Sequence, residues 1–250
     1  MLRFWLILLV MLAAGAIAGA SFAPASLADR WIASATQDRL RLADADGTLW
    51  RGRGMLTDAR GAWRLPIGWK VDPSALVRGA LALELEPRSD GGSAQGRVQW
   101  VSQTLDLSGV RLDLPVTGLV RLASEAMPAE LGGRLTVEAP SFRYEGRGGT
   151  DALDLRWERA RLVWNGGALD LGTVSARLSP SGDALRGTLA NNGGDAKIDG
   201  DLAAEGDVYA VRATITPGPT LPPDLARLVA TLGTRDNNGA VHVQWRFAAR

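Results

Sequence analysis

The groups able to do acid–base, nucleophilic or metal chemistry are few: one histidine, His242, no cysteine, and 27 carboxylates. A Ser-His-Asp site would have to be built on His242. That residue alternates with Val241, Val243, Trp245 and Phe247 in a strand-like pattern, on the same side as Gln244 and Arg246, with no nucleophile elbow nearby. The pattern predicts a solvent-facing side chain. One histidine without cysteine cannot supply the three protein ligands that even a catalytic zinc requires. Glu84 and Glu86 share the polar side of an alternating segment, which predicts solubility and no acid–base pair. Asp44, Asp46 and Gly47 imitate the opening of a calcium loop, but Met55 stands where the twelfth-position glutamate must be, so a tight turn is expected. Gly146, Gly148 and Gly149 do not join a strand to a helix as a phosphate cradle does, and read as a connection. The expectation is a non-enzyme with no catalytic, cofactor-binding or metal-binding residue and no cofactor.

Such residues as there are must be carried by elements that the apolar pattern defines. Phe4 to Phe22 is uninterrupted by charge. At about 1.5 Å rise per residue these nineteen residues reach roughly 28 Å, close to the ~30 Å hydrocarbon core of a bilayer. Arg3 in front of the run favours a cytoplasmic N-terminus over residues 1–3 and an exported chain after the anchor at 4–22. The competing reading is a cleaved signal peptide, for which Ala18-Gly19-Ala20 offers small residues. The run exceeds the usual apolar core of about 7–15 residues, which favours a retained anchor.

With Arg3 set aside from the 28 basic residues, the remainder balances the 27 acidic ones, so nucleic acid is an unsuitable partner for the exported part. Only Lys70 and Lys197 are lysines, and the arginines are spread too evenly to mark one anion site. Without cysteine no disulfide holds the fold, and packing must do so.

A short juxtamembrane helix is predicted within Ala28–Leu40, as part of a linker over 23–39. Its Trp31 either meets the membrane interface or packs on the domain. From residue 40 to 250 the period is two. Gly47 to Pro73 concentrates Gly52, Gly54, Gly61 and Gly68 among Trp50, Trp63 and Trp69, as in a β-meander that buries large side chains where backbones approach closely. Trp50 and Trp63 are expected in the core, and Pro66 and Pro73 at strand ends or edges. Leu81, Leu83 and Leu85 alternate with Ala82, Glu84 and Glu86, and Leu135 and Val137 with Arg134, Thr136 and Glu138. Between Leu153 and Trp164 the apolar parity switches, which demands a bulge or turn near Arg159. Asn191-Asn192-Gly193-Gly194 predicts a hairpin, and Tyr209 to Pro217 a further strand. Pro222 to Leu232 predicts a helix with Asp224 in its first turn and a stripe of Leu225, Leu228, Val229 and Leu232, closed by Gly233. A last strand follows the Asp236–Gly239 turn.

Four features together give the chain a resemblance to a known family. They are the N-terminal anchor; Gly47–Gly54 (GTLWRGRG) followed by Trp63-Arg64-Leu65-Pro66; the DLRWERARLVWNGGALDLG segment around Trp157 and Trp164; and the ending, in which Tyr209–Pro217 precedes a Leu-rich helix and the Gly233–Gly239 turn. In these the chain resembles the protein N family of the bacterial type II secretion system. The resemblance implies a single-span inner-membrane protein with a β-rich periplasmic domain, an accessory part of the apparatus that exports folded proteins across the outer membrane. It implies partners among the apparatus proteins, the secretin or an inner-membrane platform subunit, and it carries no catalytic or ligand residue over to this sequence. The expected fold is mainly β: a transmembrane helix, then a curved antiparallel sheet, AsmA-like or a partly open barrel or sandwich, with one short C-terminal helix. The architectural likeness to AsmA-type envelope proteins leaves lipid as an alternative partner, held in an apolar β-groove.

Overall fold

The computed structural model describes residues 22–58, 61, 64–87, 92–117, 130–145, 149–164, 167–206, 208–219 and 221–248. The expected anchor lies outside them except for Phe22, as do Trp63, Gly146 and Gly148. Among the described residues no helix is long and apolar enough to cross a membrane.

The period-two pattern gives strands throughout. After helix α1 (Ser26–Ala35) come β1 (Leu40–Gly47), β2 (Arg51–Asp58), β3 (Arg64–Val71), the short helix α2 (Pro73–Val77), β4 (Ala80–Glu86), β5 (Ser93–Val101), β6 (Thr104–Pro115) and β7 (Glu130–Tyr144). Then follow β8 (Gly149–Asp151), β9 (Leu153–Trp164), β10 (Gly167–Ser181), β11 (Ala184–Asn192), β12 (Ala196–Glu205) and β13 (Val208–Pro217). Helix α3 (Pro223–Thr231) and strands β14 (Thr234–Arg235) and β15 (Val241–Ala248) complete the fold. The fifteen strands of the described residues form one open antiparallel sheet that follows chain order, except that β15 lies between β13 and β14, and β8 pairs, among these strands, only with β7. A sequence of short turns and alternating strands can build such a meander from neighbours alone.

The register aligns one apolar face from end to end. Leu42 opposes Leu56, which opposes Leu65; Leu83 opposes Val98, then Leu107, then Phe142; Leu114 opposes Leu135, then Trp157, then Val174; Ile198 opposes Ile215, then Val241. Three buried clusters sit on this face. One holds Leu42 and Trp69 under Ala25 at the start of α1, and another holds Leu169, Ile198, Val241 and Val243 under α3, whose Val229 is fully buried. The third, around Val110, Ala139 and Phe142, gathers Leu107, Leu153 and Leu185 from β6, β9 and β11. Leu185 lies three strand spacings from β7, about 14 Å on a flat sheet, so packing it against this cluster takes a face that is concave there.

Several sequence expectations are met in detail. The parity switch is a bulge at Arg159, which has φ 49°: Trp157 opposes Val174 and Ala160 opposes Gly172, so both face the core. Gly133 lies against this bulge, at φ 109°, where a Cβ would come within 2.4 Å of the Glu158 carbonyl oxygen. The β11–β12 hairpin forms at Asn191–Gly194. Helix α3 begins behind Pro222 with Asp224 in its first turn, and the side chains of Leu225 and Leu232 flank buried Val229.

Others need correction. Asp44–Gly47 is no turn: β1 runs through it with a bulge between Ala43 and Asp46, because Asp44 tolerates the left-handed backbone (φ 51°) that a bulge requires. The chain reverses at Thr48–Arg51, where the Thr48 amide donates to the Arg51 carbonyl. Trp50 is only half-buried; among the described residues of this region the indole in the core is that of Trp69, 5 % exposed, lying on Gly52 and donating from Nε1 to the Leu49 carbonyl at 3.0 Å. Pro66 is mid-strand, opposite Met55, but the β3–β4 pairing begins only at Gly68, so its missing N–H costs no ladder bond on that side. Gly233 does not close α3 with a left-handed residue; a Cβ there would meet the His242 carbonyl oxygen at 2.1 Å. Helix α1 starts earlier than expected and stops at Ala35, because Gln37 and Asp38 take positive φ, and it leaves Trp31 67 % exposed, not packed on the sheet.

Candidate interaction surface

An open sheet has two edges, and unpaired strand edges recruit other strands unless something blocks them. The first edge, β1, is blocked by α1. Outward amides of β1 donate to side-chain oxygens placed beside them, Leu40 N–H to Thr36 Oγ1 at 3.1 Å and Leu42 N–H to Asp29 Oδ1 at 2.8 Å. The Gly47 carbonyl accepts from Ala25 N–H. Asp29 is itself clamped by Arg41, Nε to Oδ1 at 3.0 Å and an Nη to Oδ2 at 2.7 Å. The Arg41 hydrogen bonds and the Leu42 amide hold the Asp29 carboxyl below its ordinary range. Sequence reading found the helix but not this purpose, since a side chain capping a strand edge has no period.

The last edge is different. The β14–β15 hairpin closes with the Asp236 amide donating to the Ala240 carbonyl, and its pairing continues at Thr234 with His242. Hydrogen-bonded pairs recur at every second residue of an antiparallel ladder, so the amides of Gln244 and Arg246 point outward as that of His242 does. β14 ends at Thr234, and among the described residues no strand pairs with this side of β15 beyond His242. Arg246 is exposed and opposes Ala210 of β13, and among the described residues no carboxylate pairs with it.

His242 lies at the foot of this edge and is exposed, as its alternation predicts. Its Nδ1 is 3.2 Å from Thr214 Oγ1 and its Nε2 3.2 Å from Asp236 Oδ2. A hydroxyl, an imidazole and a carboxylate are thus in line. The carboxylate is committed to the turn, however: Asp236 Oδ1 accepts the amides of Asn238 and Ala240 at 2.9 Å each. Partial burial pushes the Asp236 carboxyl up, and these bonds with that of His242 outweigh it, leaving the group below its ordinary range. The trio therefore fixes the β14–β15 turn. A shallow depression of about 710 Å³ beside it is lined by Asp199, Asp201, Arg212, Thr214, His242 and Gln244, whose mixed charges select no one ligand class.

The remaining polar face carries ion pairs in both senses: Arg111 with Glu138 at 2.8 Å, Arg134 with Asp113 at 3.0 Å, Lys197 with Asp199 at 3.1 Å. Exposed pairs like these contribute little stability. Their consequence is a surface without a strong field, in line with the balanced composition. Glu84 is exposed, and Glu86 lies 3.7 Å from Arg51. Among the described residues no group of three or more His, Asp or Glu could hold a metal ion.

The type II secretion system (T2SS), protein N family matches residues 38–244. The chain is also similar to the protein named Type II secretion system protein N from Klebsiella pneumoniae, 28% identical over 223 residues that cover 87% of this chain and 86% of that one. No solved structure matches. The matched span runs from just before β1, across the meander, to Gln244 in the middle of β15, and the chain belongs to the protein N family of the type II secretion system.

Proposed function

We propose that this type II secretion component is an accessory protein of the inner membrane, anchored by Phe4–Phe22 with residues 1–3 in the cytoplasm, and with both the segment 23–39 that carries α1 and the sheet of 40–250 in the periplasm. There it works through protein contacts with the apparatus, the secretin or an inner-membrane platform subunit. The observation that carries this reading is the asymmetry of the two edges: β1 is plugged by Asp29 and Thr36, whereas β15 offers the amides of Gln244 and Arg246 to an incoming strand. A strand added there gains main-chain hydrogen bonds, and a carboxylate on its polar side can pair with Arg246. The near-neutral surface supports a protein partner over nucleic acid or capture by anionic lipid.

Gln244→Pro tests this, since it deletes an outward amide while leaving those of Val243 and Trp245 to bond β13. The expected result is a normally accumulated protein with reduced secretion of the system's cargo; secretion unchanged in cells that depend on this protein overturns the edge as the working surface.

A second reading has its own support. Leu135, Val137, Leu155 and Val174, in the middle of the apolar face, are only half-buried, and α1 and α3 lie towards the two ends of the strand order. An acyl chain along this stretch would make the protein a lipid-binding or lipid-moving module.

A further inference from the structure

Among the described residues, Trp31 of α1 and Tyr209 of β13 are exposed elsewhere, whereas five large apolar side chains left uncovered gather at one end of the first strands. Because the strands alternate in direction, Gly47 of β1, Val71 of β3, Ala80 of β4, Val101 of β5 and Thr104 of β6 all lie at the same end of the sheet. At that end Val77 is 89% exposed, Trp100 56%, and Leu76, Leu81 and Val101 are exposed too. Together they rim that end on both faces, Leu81 and Trp100 on the apolar face and Val101 on the other. Leu81 opposes Trp100 and Ala80 opposes Val101 across β4–β5, while α2 presents Leu76 and Val77 immediately before β4. At the other end of the same strands Leu65 is 5% exposed.

This rim is firmly built. Asp72 caps α2 by accepting from the Ser74 amide at 2.9 Å and the Ser74 hydroxyl at 2.7 Å. The Trp100 indole N–H donates to the Ser102 carbonyl at 2.6 Å, which satisfies its polar atom and leaves the ring facing out. Asp72 and Arg78, which flank α2, lie 4.0 Å apart and offset one another.

The chain enters at the same end. Leu49 N–H donates to the Ala23 carbonyl at 2.8 Å, Pro24 bridges Thr48, and Phe22 is 79% exposed. The apolar run thus ends one residue before the chain is pinned to the sheet, with no linker between. β1 and β5 are four strand spacings apart, about 19 Å, so the rim and the entry point lie close together along one side.

We infer that this end of the sheet rests on the bilayer that the N-terminal run crosses, with Val77 and Trp100 immersed in the headgroup layer. The inference rests on the proposed anchor. A tryptophan ring with an apolar neighbour favours that layer, and a penetration of about 5–10 Å suits a rim one side chain deep. Because the tether is immediate, the rim is held at the surface at high effective concentration and needs little affinity of its own. Docking there also sets the strands upright, so that β15 is presented at a fixed orientation to a neighbour in the same membrane.

The absence of cysteine makes the test direct. The full chain, carrying Val77→Cys or, at the opposite end of β5, Ser93→Cys, is labelled with bimane and placed in phosphatidylethanolamine–phosphatidylglycerol nanodiscs containing acyl-brominated lipid. Quenching several-fold stronger at residue 77 than at residue 93 is the expected result. A chain that stays with the discs but is quenched weakly and equally at both sites overturns the docking and leaves the anchor standing. A residue 77 label shielded from both brominated lipid and aqueous iodide overturns it in favour of a protein cover. A chain that elutes free of the discs overturns the anchor itself, and the docking with it.

Discussion

At the scale of single residues, the side chains that matter most are those that close a local account. Trp69→Ala should cost roughly 3–5 kcal/mol, because it empties the space over Gly52 and removes the bond to the Leu49 carbonyl. Half-buried Trp50 should cost clearly less when replaced in the same way, and urea unfolding of the full chain in micelles compares the two. Asn191 joins four backbone groups, donating to the carbonyls of Leu171, Gly193 and Ala196 and accepting from the Ile198 amide at 2.7 Å. Asn191→Ala should therefore destabilise by about 1–3 kcal/mol, measured by the same unfolding midpoint. The sequence shows both a tryptophan-rich meander and a hairpin here, but not which indole is inside. Trp50 and Trp69 have similar neighbours in sequence, and only the register that sets Trp69 against Gly52 distinguishes them.

At the scale of elements, α1 acts as an edge cap. Its carboxylate Asp29 has a lowered pKa, so its contribution to stability is present above the unfolded value of about 4 and is lost as pH falls through the folded value. Acidification through that lowered folded value should therefore free the β1 edge. Asp29→Asn should weaken that acid dependence, and hydrogen exchange at the Leu42 amide reads it. Asp29→Ala with Thr36→Val should speed exchange at Leu40 and Leu42 at neutral pH without comparable change in β12; unchanged exchange would contradict the cap. The strands, the Arg159 bulge and α3 are legible because each is a matter of spacing. Helix α2 is harder to read: five residues carry no period, and its signal is Asp72 before a proline, which resembles a turn as much as a helix start.

At the scale of the whole molecule, chain order nearly determines the sheet, since almost every strand pairs with its predecessor. What spacing cannot say is where such a sheet stops and which of its edges is left free, because both depend on segments far apart in sequence meeting at the borders. Those borders carry the functional account. The central claim is that the free side of β15 meets another protein of the secretion apparatus. The most direct measurement is a photo-crosslinker at Gln244, compared with one at Val137 on the apolar face, in cells making the whole apparatus. The account predicts that Gln244 yields adducts with a secretin or platform subunit that Val137 does not. Phospholipid adducts from Val137, with no protein adduct from Gln244, would contradict it and make the lipid groove the working surface.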